Sequence, residues 1–286
     1  MVQHVMTPTD PTRSRLALTK HHGAGNDFLV LVDLDDRSGL TGRVVQALCD
    51  RRFGVGADGL IRVLAGADGS DLTMDLANAD GSTAEMTGNG MRCLAQAAVR
   101  AGLVTPPTFT VATLGGVRTV EFRAGGTADG PDWASVDMGP ARLGAEQVPA
   151  VTGGRARVVD VGNPHLVLLG DDPAGIDVHG VGTALQREFP GGINVEFVAL
   201  GPGADTLTLR VFERGVGETL ACGTGTAAAA AAAHGWGLVG TAVDVRNPGG
   251  TLRVEIAPDT VVLSGPVAFV AEVTVDPAVL VAGGRP

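Results

Sequence analysis

The feature that most constrains this chain is that it repeats itself. Thr87-Gly-Asn-Gly-Met-Arg-Cys-Leu-Ala-Gln-Ala-Ala-Val-Arg-Ala-Gly-Leu-Val104 shares its layout with the stretch from Cys222-Gly-Thr-Gly-Thr226 to Gly237-Leu-Val239. Gly88 and Gly223 lie 135 positions apart, and so do Gly102 and Gly237. Gly115-Gly-Val-Arg-Thr-Val-Glu-Phe122 resembles Gly249-Gly-Thr-Leu-Arg-Val-Glu-Ile256 at an offset of 134, and Gly25-Asn-Asp-Phe28 resembles Gly162-Asn-Pro-His165 at 137. Ordered motifs at a nearly constant offset imply a duplicated α/β unit, with each copy too long to be a solenoid repeat. Two such units facing each other make a cleft with one polar group on either wall.

Within the second copy, Gly217-Glu-Thr-Leu-Ala-Cys-Gly-Thr-Gly-Thr226 precedes seven alanines and His234-Gly235. A glycine-rich approach, an unbroken run of strong helix formers and a closing glycine read as loop, helix and C-cap. Cys222 stands at the helix entrance, where free N–H groups and the positive dipole end lower a thiol's pKa and offer a seat to a carboxylate. An all-alanine helix has no polar stripe for water, so it belongs inside a shell of strands.

Composition limits the partners. A length of 286 residues suits two domains, and a net charge of −10 argues against nucleic acid or an anionic membrane. No apolar run approaches the roughly 20 residues of a membrane-spanning helix. Three cysteines are not a disulfide framework, which points to a reducing cytoplasm. Residues 1–14 read as a disordered N-terminus. Residues 15–128 read as a first lobe, with a strand over 275–286 assigned back to it, and 129–274 as a second. No His/Cys/Asp cluster has the spacing of a metal site.

In chain order, strands are expected at Arg15–Lys20, Phe28–Val32, Leu60–Leu64, Leu72–Leu76, Val195–Leu200 and Leu207–Phe212. The His21 to Asp27 turn carries Asn26, and its repeat carries Asn163. Val44, Val45, Leu48 and Cys49 mark one face of a helix. Gly54-Val-Gly-Ala-Asp-Gly59 matches a dinucleotide fingerprint only by letter, since no buried strand precedes it and no helix follows. On the first central helix, Arg92, Gln96 and Arg100 fall four apart and read as a solvated stripe. The glycine-rich stretch from Ala124 to Gly130 reads as a linker. Glu213-Arg214 ends a strand just before the approach to Cys222, where it is better read as part of a site than as a surface ion pair.

Together these motifs resemble one family. Lys20-His-His-Gly-Ala-Gly-Asn-Asp-Phe28, Arg52-Phe-Gly-Val-Gly-Ala-Asp-Gly59, Asn78-Ala-Asp-Gly-Ser82, Gly88-Asn-Gly90, Gly162-Asn-Pro-His165, Phe189-Pro190 with Asn194, Glu213-Arg214 and Ala221-Cys-Gly-Thr-Gly225 are similar to diaminopimelate epimerases. The resemblance implies an α/β (α+β) fold of two pseudo-symmetric duplicated domains, each a barrel-like sheet around a central helix. It implies an isomerase that needs no cofactor and interconverts LL- and meso-diaminopimelate, with a small amino acid as substrate, and it leaves room for a homodimer. By the family's pattern, Asn26, Asn78, Asn163, Asn194, Glu213 and Arg214 hold the distal end of the substrate. Gly88, Asn89, Gly223 and Thr224 offer backbone N–H groups to the reacting carboxylate, and His165 and Glu213 tune or relay protons.

The chemistry of that family needs one acid/base on each face of the α-carbon, and carbanion charge spreading onto a carboxylate suits two helix N-termini. Both acid/bases are cysteines there. Here the second is Cys222, but the first position holds Thr87. A thiol titrates near 8.5 and a hydroxyl at roughly 15, so the alkoxide costs about 9 kcal/mol more. Thr87 can donate a proton or hold a water, but it is no ordinary base. Gly59 is a milder departure, at a position where some members carry a glutamine. Three outcomes follow: a slow epimerase, a divergent racemase or dehydratase of a related amino acid, or a non-catalytic binder. A cysteine hydrolase built on Cys222 and His165 has nothing in its spacing to favour it.

Overall fold

A computed structural model of the chain describes residues 15–105, 107–125, 130–147 and 154–276. The expected disordered N-terminus lies outside that range, as does the segment after 276. The first half runs β1 (Leu16–Gly23), β2 (Asn26–Val32), α1 (Gly42–Cys49), β3 (Gly59–Ala65), β4 (Leu72–Asn78), β5 (Thr83–Ala84), α2 (Gly88–Arg100), β6 (Thr108–Thr113), β7 (Gly116–Arg123) and β8 (Asp132–Asp137). The second runs β9 (Arg142–Gln147), β10 (Arg155–Asp160), β11 (Pro164–Leu169), α3 (Val178–Gln186), β12 (Asn194–Leu200), β13 (Thr206–Glu213), β14 (Gly217–Thr219), α4 (Gly223–Gly235), β15 (Ala242–Asn247), β16 (Gly250–Ile256) and β17 (Val261–Val275).

Strand pairing closes the first half into a barrel. The ring passes through β1, β2, β3, β4, β6, β7, β8 and β17 and returns to β1. The second half runs β9, β10, β11, β12, β13, β15, β16 and β17. β17 therefore belongs to both: Val262–Ser264 pair with β16 on one edge and with β8 on the other, and Ala268–Val275 pair with β1. The glycine-rich stretch after Arg123, whose residues 126–129 lie outside the described range, joins β7 to β8. Those two strands pair with each other, Val120 opposite Val136.

Each barrel encloses one helix. All of α4 from Gly223 to Ala233 is buried, packed against β9 to β13 and β15 to β17. Alanine makes this possible, because a bare methyl lets strands approach from every side, and a larger residue there would overpack the interior by about 1–3 kcal/mol. The two helices also end alike. Gly102 (φ 68°) and Gly237 (φ 73°) each donate to the residue three back, while Leu103 and Leu238 donate to Ala98 and Ala233. These are Schellman caps, which call for glycine at the left-handed position. The second helix runs through Gly235, so its capping glycine is Gly237.

The solvated stripe expected on α2 is a correction. Arg92 has no exposed area and Gln96 is buried; only Arg100 reaches solvent, stacked 3.8 Å over the Phe269 ring. The stripe faces β1, β8 and β17 within the barrel. Gln96 pairs with buried His21 Nδ1 at 2.7 Å and donates to Asp132 at 2.6 Å. Polar groups that meet partners inside can line an interior, so their helical spacing does not reveal which side is wet.

Candidate active site

The helices of the two barrels meet end to end. Thr87 and Cys222 are the N-cap residues of α2 and α4, both with extended backbone. A Cβ built on Gly223 would lie 3.0 Å from the Gly88 Cα and 3.2 Å from its nitrogen. A Cβ on Gly88 would come within 2.5 Å of Leu263. Only glycines let the first turns touch. Their free N–H groups and two positive dipole ends thus converge on one point.

A cavity of about 480 Å³ opens over this junction, with Asn26, Asn78, Thr87, Asn163, Glu213, Arg214, Cys222 and Thr224 on its walls. A neighbouring hollow of about 520 Å³ shares Asn78, Asn163, Arg214 and Thr224, so the two form one cleft between the lobes. Gly88 and Gly223 lie where the helices abut, while Asn89, His165 and Asn194 are buried behind the walls. Asn194 is committed to the backbone: it donates to the Pro164 carbonyl at 3.1 Å and accepts from the Arg214 N–H at 2.9 Å, which fixes where Arg214 begins. Asn26 donates to Asp58 at 2.7 Å and Asn78 to Ser82 at 3.0 Å. At Gly59 a Cβ would fall 2.7 Å from the Ala77 carbonyl oxygen, so no side chain could project there without moving β4.

The Cys222 thiol accepts from the Gly225 N–H and contacts the Thr224 hydroxyl, both at 3.4 Å. Sequence reasoning expects a lowered pKa here, and the structure corrects it. Burial pushes the thiol well up, and the carboxylates of Glu213 and Glu196 push it further, against the two weak hydrogen bonds. Desolvation and two nearby negative charges outweigh a helix dipole worth a fraction of a unit. Burial likewise raises Glu213, with Glu196 adding to the rise, while hydrogen bonds from Thr219 and Cys222 oppose it. Burial thus disfavours the charged form of both groups, and the hydrogen bond between the Cys222 thiol and Glu213 is a path along which a proton can pass. Cys49 and Cys93, buried in the core, are each pushed up to about 12 and lie off the cleft.

Thr87 lines the same cavity, its side chain making no cap hydrogen bond. A hydroxyl at the mouth of one helix and a thiol at the mouth of the other thus border one cavity.

Two functional residues were missed in the sequence. Glu196 is fully buried on β12, its Oε1 2.6 Å from His165 Nδ1, while His165 Nε2 lies 2.9 Å from Asn163 Oδ1. The line continues from Asn163 to Thr224 at 3.5 Å and so to Cys222. A carboxylate that fixes an imidazole's ring is a familiar orienting device. Its signal was present: Glu196 is the lone charge in the apolar run Val195–Leu200. Thr219, which donates to the Glu213 carboxylate, carried no such signal.

Among the described residues, no cluster of three or more His, Cys, Asp or Glu could hold a metal ion, and no helix is long and apolar enough to cross a membrane.

The arrangement of two helix-filled barrels meeting over one cleft defines a class, and solved structures share it. A hydroxyproline epimerase from Agrobacterium vitis superposes with a TM-score of 0.72 at 17% identity, covering 94% of this chain and 95% of that one. A phenazine biosynthesis protein of the PhzF family from Bacillus anthracis does so with a TM-score of 0.72 at 14% identity, covering 92% and 99%. At such identities the likeness is one of fold. The sequence narrows it: the family described as diaminopimelate epimerase matches residues 18–144 and 157–270. The diaminopimelate epimerase of Mycolicibacterium paratuberculosis is 43% identical over 284 residues, covering 90% of this chain and 95% of that protein. That of Desulfitobacterium hafniense is 39% identical over 280 residues, covering 89% and 96%. The chain belongs to the diaminopimelate epimerase family.

Proposed function

We propose that this protein is an isomerase that interconverts LL-2,6-diaminopimelate and meso-diaminopimelate in the cytoplasm without a cofactor. The observation that carries the reading is the pair Thr87 and Cys222, each the N-cap residue of a helix, lining one cavity beside the junction of the two helix ends. The substrate's reacting carboxylate sits against the free N–H groups of Gly88, Asn89, Gly223 and Thr224. The side chains of Asn26, Asn78, Asn163 and Arg214 meet its distal end, with Asn194 holding Arg214 in place.

The α-proton leaves to the Cys222 thiolate, formed when the thiol passes its proton to Glu213. The electron pair left on carbon spreads onto the carboxylate, where two helix ends stabilise it. A proton then arrives on the opposite face from the Thr87 hydroxyl, or from a water it holds, and the oxyanion left behind recovers its proton from solvent. That oxyanion costs about 9 kcal/mol more to form than a thiolate, so turnover is slow compared with a two-thiol site. Glu196 and Asn163 hold the His165 ring, which tunes the charge around Cys222.

One asymmetry favours a second reading, in which the chemistry occurs on a single face: Cys222 is a thiol hydrogen-bonded to Glu213, whereas Thr87 offers a hydroxyl, which is no ordinary base. Incubating the protein with LL-diaminopimelate in deuterium oxide separates the readings. Label at the α-carbon together with meso product supports epimerisation. Exchange with the LL configuration retained supports one working face, as in a dehydratase that has diverged toward a related amino acid. Binding without exchange identifies a non-catalytic binder.

A further inference from the structure

Arg92 is a buried guanidinium without a carboxylate. It has no exposed area, and its Nε and Nη1 have no hydrogen-bond partner. Burial pushes it down to about 10, which leaves it charged at neutral pH. Removing such a charge from water is costly unless the surroundings use it.

Its surroundings are specific. Long side chains on a helix lean toward the N-terminus, and Arg92 Nη2 accordingly donates to Asn89 Oδ1 at 2.9 Å, one turn nearer the cleft. That bond fixes the amide. Asn89 Nδ2 then points the other way, donating to the Ala221 carbonyl at 2.9 Å and to Asn26 Oδ1 at 3.1 Å. Ala221 immediately precedes Cys222, and Asn26 lines the cavity. Two glycines make the room: a Cβ on Gly23 would lie 2.7 Å from Arg92 Nη2, and one on Gly265 would lie 3.4 Å from its Cζ. The equivalent position in the second helix, 135 residues on, is Ala227, so this cation has no copy in the other lobe.

We propose that Arg92 is a positioning residue of the cleft: it orients Asn89 so that the α2 entrance is tied to the Cys222 approach, and its charge strengthens that entrance as a seat for a carboxylate gaining negative charge. The inference rests on the proposed function and assigns the reacting carboxylate more to α2 than to α4. A flipped Asn89 amide would turn Oδ1 toward the Ala221 carbonyl and push the two helix entrances apart.

The test measures α-proton exchange from LL-diaminopimelate in deuterium oxide, with folding checked by circular dichroism and thermal melting. Arg92→Met lowers kcat about 10²-fold, the scale of losing one donor to a developing oxyanion, while KM changes less than about threefold. Arg92→Lys, which keeps the charge but not the planar fork, falls between. Wild-type kcat in folded Arg92→Met, or Arg92→Lys no better than Arg92→Met, overturns the proposal. Should Arg92→Met not fold, Arg92→Lys and Asn89→Ala decide it: a fall in kcat at unchanged KM in both sustains the proposal, and wild-type kcat in either overturns it. If the wild-type chain itself shows no exchange, the proposed function falls separately. The Arg92 link is then read from melting of Arg92→Lys, Asn89→Ala and the double variant, where coupled effects sustain it and additive ones overturn it.

Discussion

The two lobes share a backbone and not a chemistry. β2 runs beside β3 with Phe28 opposite Gly59, and β11 runs beside β12 with His165 opposite Asn194, so these residues occupy equivalent places. By the same register Ile61 matches Glu196, Ala84 matches Thr219, and Asn78 and Glu213 end equivalent strands. The second lobe carries Cys222, Glu213, His165, Glu196 and Thr219; at the equivalent places the first carries Thr87, Asn78, Phe28, Ile61 and Ala84. Glycine stands at the helix junction on both sides because a Cβ on Gly223 would meet the Gly88 backbone and one on Gly88 would meet Leu263. Glu213 and Glu196, whose negative charges add to the rise that burial imposes on the Cys222 thiol, both come from the second lobe. The fixed buried cation, Arg92, is on the other. Duplication thus supplied both helix entrances, and divergence set Cys222, Glu213 and Glu196 in one lobe and the buried Arg92 in the other.

The sharpest way to break this contrast is to remove the thiol. Cys222→Ala should lower α-exchange by about 10³-fold or more, as expected for loss of a general base, measured by deuterium incorporation; residual exchange near the wild-type rate would move the chemistry elsewhere. Restoring the lost symmetry is next: Thr87→Cys should raise epimerisation by about 10²-fold, and no gain would count against the role given to position 87. The shared seat can be tested through Gly223→Ala, whose Cβ meets the Gly88 backbone and Leu263. It should cost about 2 kcal/mol of stability in denaturant unfolding, whereas Gly115→Ala, with no atom of another turn closer than 3.6 Å, should cost much less. The smallest effect concerns the thiol's titration. Glu213 disfavours the thiolate, so Glu213→Gln, which removes that negative charge, should move the midpoint of Cys222 alkylation down by about one pH unit. A midpoint that stays or rises would show that burial alone sets it.

Much of this was legible. The 135-residue offset gave two equivalent units, the glycine approaches gave both helix entrances, and seven alanines could only be an enclosed helix. The cleft residues Asn26, Asn78, Thr87, Asn163, Glu213, Arg214, Cys222 and Thr224 could all be named before any strand was paired. What escaped depended on partners distant in sequence. Arg92 and Gln96 have the spacing of a wet face, and only the strands β1, β8 and β17 make it dry. Glu196 reaches His165 across 31 positions, and the upward shift of Cys222 depends on burial within the folded sheet and on two carboxyls delivered by β12 and β13.

Local order, the duplicated unit and the identity of the groups at each helix mouth were determined by the sequence itself, because turns, caps and periodicity are short-range consequences of side-chain shape. Burial, the pairing of charges and the protonation of the thiol were decided by tertiary structure. Those quantities depend on dielectric surroundings and on neighbours that only the folded sheets bring together.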